Sequence, residues 1–169
     1  VFDLVVAWAL YELFKDNQLS GLSSLFRTTH AVIMGVAINF LVGTLKSTSN
    51  FEILRQVDSF NATWLIGLFF FGIHLMLLGK ILNRPKLIAL MLVIAGFMYV
   101  GDTAAHFLLQ DYNVYRSFFL AMVAIPSVIG EMSLAVWLLA RGGRENIGKR
   151  REWMTDERHE LNPDRIKLN

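Results

Sequence analysis

The sequence predicts an all-α fold, a polytopic helical membrane bundle. Of its 169 residues, 54% are hydrophobic and only 18% charged, an apolar excess unusual for a soluble domain. Four segments each have the length and apolarity of a bilayer crossing, and none alternates with the period of two that membrane β-barrel strands show. Mean hydropathy is +0.46, although the stretch Arg141 to Asn169 holds half of the 16 Lys and Arg residues. A bilayer core offers no partner to a free peptide group, so such segments must close their own hydrogen bonds as helices.

The first element, residues 1–14, reads VFDLVVAWALYELF and is shorter than the roughly 20 residues a crossing needs. It lacks the basic start and cleavage site of a signal peptide. Opening on Val1 inside an apolar run, it is expected to be a truncated span, giving about five transmembrane helices here and six in the complete protein. Full spans follow at about 22–45, 60–82, 86–109 and 117–140. The connections KDNQLSG, KSTSNFEILRQVDS, the NRP turn at Asn83 to Pro85, and QDYNVYR are short and polar. Residues 1–140 thus form one bundle, and 141–169 a charged tail.

Basic residues sort unevenly between the two faces. Lys15, Lys80, Arg84, Lys86 and the tail fall on one side, Lys46, Arg55 and Arg116 on the other, so the tail is expected in the cytoplasm of a bacterial inner membrane. Tail residues Arg141, Arg144, Lys149, Arg150 and Arg151 are candidates for anionic lipid headgroups, beside the bilayer itself as partner. Acids interleaved with them leave no basic stripe for nucleic acid. Small residues at Ala31, Gly35 and Gly43, and at Gly101 and Ala105, predict close helix contacts. Pro126 removes one backbone bond inside the fifth span, and Trp64, Tyr112, Tyr115 and Trp137 fall where interfacial aromatics lie.

The chemistry must come from the polar residues inside the spans, each costing roughly 2.5–3.5 kcal/mol to insert unless it finds a partner or a wet cavity. They are Asp3, Glu12, Arg27, His30, His74, Asp102, His106 and Glu131, with Asn39 as a neutral companion. Counted along each helix from its cytoplasmic end, His30 and His74 lie about 12 Å deep, Glu131 about 13 Å, Asp3 about 16 Å and Arg27 about 8 Å. Asp3, Arg27, His30, His74 and Glu131 therefore form a candidate buried polar layer. Asp102 and His106, one helical turn apart and on one face, form a second pair, with Asp102 and Asn39 at roughly 24 to 25 Å. His30 and Asn39 lie half a turn out of phase and cannot share one narrow cavity.

Such a layer serves three chemistries. Imidazole and carboxylate relay protons or bind an ion or small polar solute. The same groups pair helices structurally, for instance Arg27 with Glu131 or Glu12. They also ligate zinc or iron in an intramembrane hydrolase. No cysteine is present, which excludes disulfides and thiolate metal sites, and no HExxH, GxSxG, Walker loop or dinucleotide glycine pattern occurs. Neither a catalytic residue nor a cofactor is assigned from the sequence.

The blocks TWLIGLFFFGIHLMLLGKIL, LIALMLVIAGFMYVGDTAAHFLL and IPSVIGEMSLAVWLLARGGR resemble domain-of-unknown-function family 4386 of bacterial membrane proteins. The resemblance extends back through LFRTTHAVIMGVAINF to VFDLVVAWALYELF. It implies a multi-helix inner-membrane protein with more helix at the N-terminus, and marks Asp3, Arg27, His74, Gly79 and Glu131 as family-like positions. No activity comes with it.

Overall fold

A computed structural model describes the backbone of residues 2–82 and 84–160, and side chains within that range up to 140, Asn113 excepted. Five helices follow one another: α1 (Phe2–Leu13), α2 (Ser20–Thr44), α3 (Asn50–Ile81), α4 (Lys86–Leu108) and α5 (Tyr112–Glu160). There is no strand among the described residues. The helices α2, α3 and α4, and the stretch Val114–Ala140 of α5, are long and apolar enough to cross a bilayer. The twelve residues of α1 fall short of that length.

Local chemistry sets the helix ends. Between α1 and α2 the Asn17 side chain accepts the Leu19 amide at 3.0 Å, an Asx turn that interrupts the helical ladder. Between α3 and α4, Pro85 has no amide hydrogen and disfavours helical backbone at Arg84, so α3 stops and α4 restarts at Lys86. Two helices outrun the expected spans. The segment NFEILRQVDS, expected as connection, forms the first turns of α3, with Glu52 at the positive end of the helix dipole. Likewise α5 continues as backbone helix through the charged residues to Glu160. The tail residues expected at lipid headgroups, Arg141, Arg144, Lys149, Arg150 and Arg151, have side chains outside the described residues.

The chain divides after Glu131 into a helical body and a second unit that begins at Met132. Within the body, consecutive helices run antiparallel. Asp3 and Ala7 of α1 meet Arg27 and Ser24 of α2, and Ser23 and His30 of α2 meet His74 and Gly67 of α3. Gly72 and Gly79 of α3 lie against Gly96 and Ala89 of α4, and Gly130 of α5 against Leu92.

The close contacts are not where the sequence spacing put them. A Cβ at Gly35 or Gly101 would meet nothing within 4 Å, and the nearest atoms to one at Gly43 belong to the Gln56 side chain, at 3.1 Å and beyond. The tight seam instead uses Gly72, whose Cβ would sit 2.7 Å from the Gly96 carbonyl oxygen, and Gly79, 2.6 Å from that of Ala89. The reason is topological: α3 packs against both α2 and α4 and so must present small residues on two faces. Its Leu75, Leu78 and His74 are among the largest fully buried side chains. Large apolar residues such as Phe97, Leu120, Val128 and Val32 are exposed around the body, an oily exterior that suits lipid and not water.

Candidate functional site

Four residues expected in one layer do meet. Arg27 of α2 stands at the centre, partly buried, and donates through Nη2 to Asp3 Oδ1 of α1 in a short charge-assisted bond. Its Nη1 donates to His74 Nε2 of α3 at 3.3 Å, and its guanidinium carbon lies 5.5 Å from the centre of the Phe71 ring. Arginine has donors only, so the nitrogen of His74 that faces it must be the bare, accepting one. The other, Nδ1, then carries the hydrogen and donates to the Ser23 carbonyl at 3.0 Å, with the Ser23 hydroxyl at 2.9 Å. His74, only 1% exposed, is thereby fixed as one neutral tautomer by its surroundings.

His30 is held differently. Its Nδ1 donates to the Gly67 carbonyl at 2.9 Å, and its Nε2 faces Asp3 Oδ2 at 3.6 Å. The ring rests on Phe71 with centres 4.8 Å apart, so one phenylalanine floors His30, Arg27 and His74 together. The Nε of Arg27 is buried and has no partner among the described residues. A buried orphan donor costs about 1–3 kcal/mol, which makes Nε the open point of an otherwise paired cation.

Glu131 stands beside this network, close enough to feel the charges of Arg27 and Asp3, with the Tyr99 side chain near it and near Ser127. The ion pair expected between Arg27 and Glu131 or Glu12 is instead made with Asp3, because α1 packs antiparallel on α2 and brings Asp3 level with Arg27. Glu12 points outward to Lys15 at 3.4 Å. Asn39 is exposed on α2. Among the described residues no three His, Asp or Glu side chains gather as metal ligands do, and both nitrogens of His74 are already committed.

The second pair sits elsewhere. Asp102 is buried on α4 and accepts from the Tyr112 hydroxyl at 2.6 Å. His106 is exposed and meets the Tyr112 ring edge-on, centres 4.6 Å apart. Of the aromatics expected at the interface, Trp64 and Tyr115 are exposed, whereas Tyr112 is buried and turns its hydroxyl inward to satisfy Asp102. Burial, and then donation to this carboxylate, push the Tyr112 phenol up to about 12.

Ser23, Gly67, Phe71, Tyr99 and Tyr112 were missed as partners. Phe71 belongs to a run of three phenylalanines, and only its i, i+3 spacing to His74 distinguishes it. A serine or glycine carbonyl leaves no sequence signal at all.

An Archaeoglobus fulgidus protein described only as uncharacterized is similar to this one, 28% identical over 148 residues that cover 84% of this chain and 78% of its own length. No solved structure matches. The family described as Domain of unknown function (DUF4386) matches residues 1–142, which takes in both polar clusters, and the chain belongs to that family.

Proposed function

We propose that this is a multi-pass inner-membrane protein of the bacterial type that binds and passes on a proton through the layer formed by Asp3, Arg27, His30 and His74, with Glu131 and Tyr99 as the next carriers. The observation that carries the reading is the setting of His30. A backbone carbonyl only accepts, so the 2.9 Å bond to Gly67 keeps a hydrogen on Nδ1 in either charge state of the ring. Nε2 then faces Asp3 Oδ2 at 3.6 Å, and with no hydrogen between them two lone pairs confront each other. One proton placed there satisfies both atoms without turning the ring. Arg27 occupies the other oxygen of Asp3, which leaves Oδ2 as the oxygen open to a proton from His30.

The excess of Lys and Arg around Lys15, Lys80, Arg84, Lys86 and the tail supports a cytoplasmic C-terminus, with tail cations near anionic headgroups. A C-terminal reporter active only on one side of the membrane tests that orientation.

A structural reading is also favoured by one observation: Arg27 joins α2 to both α1 and α3, so the cluster fixes helix register as well. Proteoliposomes loaded with a pH-sensitive dye separate the two. His30→Gln can still donate to Gly67 but cannot hold a proton toward Asp3, and should cut proton entry under an imposed gradient by at least roughly tenfold, as general proton carriers do when removed. Wild-type flux in His30→Gln and in Asp3→Asn would leave only the structural role.

A further inference from the structure

On the side of the body that carries the α2–α3 and α4–α5 connections there is a cavity of about 500 Å³, within the range of small-molecule sites. Asp102 and His106 of α4, Phe60 and Trp64 of α3, and Tyr112 and Arg116 of α5 line it. It shares no residue with the proton layer and does not depend on that reading.

Asp102 is 9% exposed and its one bonded donor is the Tyr112 hydroxyl, on Oδ1. Among the described residues no ion pair reaches it. Asp102 lines the cavity with no bonded donor on Oδ2 and no cation within ion-pair distance among the described residues, a carboxylate in largely apolar surroundings that is costly unless something positive visits. The walls favour the same visitor. Phe60 and Trp64 pack with ring centres 5.5 Å apart, and aromatic faces attract ammonium groups. Arg116, exposed at the start of α5, is near enough to act on the Tyr112 phenol. It would repel a simple cation but attract a ligand whose other end is anionic.

From this juxtaposition we infer that the cavity binds a small zwitterionic amphiphile, its ammonium on Asp102, its anionic group on Arg116 and its apolar body against Phe60 and Trp64. Such a ligand comes either from water, as a free amino acid, or from the bilayer, as a phosphoethanolamine headgroup.

Titration calorimetry on the whole chain in detergent tests it with three probes of one shape: phenylalanine, phenethylamine and 3-phenylpropionate. Phenylalanine should bind, phenethylamine more weakly and 3-phenylpropionate not detectably. Asp102→Asn, which keeps the shape and can still accept from Tyr112, should weaken phenylalanine by roughly tenfold or more, the scale of a lost charge-assisted bond. Arg116→Gln lies on an exposed residue and should bring phenylalanine down to the phenethylamine level while leaving phenethylamine unweakened. Lysophosphatidylethanolamine forms a further arm: tighter binding than phenylalanine assigns the ligand to the bilayer, weaker binding to water, and either supports the site. Equal binding of 3-phenylpropionate and phenylalanine, unchanged affinities in both variants, or no binding of phenylalanine and lysophosphatidylethanolamine at millimolar concentration would overturn it.

Discussion

The body contains two carboxylates in opposite circumstances, half-buried Asp3 and buried Asp102. Asp3 is answered from within the chain: Arg27 takes one oxygen and His30 faces the other. Asp102 is answered only by a neutral hydroxyl and opens on a cavity. The difference teaches where to look for exchange with the outside. A charge already paired with a resident cation holds helices and trades at most a proton, whereas one lacking its counterion is completed by a ligand.

The sharpest way to break this contrast is to remove the resident cation. Arg27→Met deprives Asp3 of its partner and His74 of its donor, and should cost about 3 kcal/mol, the low end of the penalty for stranding one half of a buried pair because Asp3 is half-buried. Thermal unfolding in detergent measures it, and a melting profile like that of the wild type would show that Arg27 is not the hub of this cluster. Asp102→Asn should move the same profile far less, since no ion pair is lost.

Next in size comes the α3–α4 seam. Gly72→Ala forces a methyl toward the Gly96 carbonyl and the Tyr99 side chain, and backbone cannot yield as a side-chain tip does. Overpacking of this kind costs about 1–3 kcal/mol. Gly35→Ala is the matched control, with open space at its Cβ, and should be stabilising by about 0.4–1 kcal/mol through reduced freedom of the unfolded chain. Equal effects at the two glycines would contradict the packing.

The smallest effect is spectroscopic. Tyr112 has a phenol raised from 10.0 to about 12, so the fold favours its protonated form. The linked stability is fully present below pH 10 and is lost as pH rises through about 12. Tyrosinate absorbance should therefore show a late-titrating component that Tyr112→Phe diminishes by one tyrosine. Asp102→Asn should advance its titration only part of the way toward 10, because burial, the largest single cause, remains.

Much of this was legible in the sequence, for reasons that differ by residue. Asp3, Arg27, His30 and His74 could be placed at similar depth because helical rise is constant, and depth alone nominated them as neighbours. Which of them touch depends on how α1 and α3 rotate about α2, and no spacing within one helix records that. Hence the sequence offers Glu131 or Glu12 as partners for Arg27, and the packing supplies Asp3. Tyr112 is the converse case: a tyrosine at a helix end reads as an interfacial anchor, and only the return of α5 against α4 shows its hydroxyl on Asp102.

By itself the sequence determined that the chain is helical and apolar enough for lipid, since peptide groups in a bilayer core can bond only within their own helix. It also determined which few charges would need company, because their cost in that medium is independent of the fold. The tertiary structure alone decided the pairing: Gly72 and Gly96, not Gly35 and Gly101, set the helix distance, and Arg27 went to Asp3 while Asp102 kept an open side. Pairing depends on rotation and register between helices, quantities that arise only when several helices pack at once.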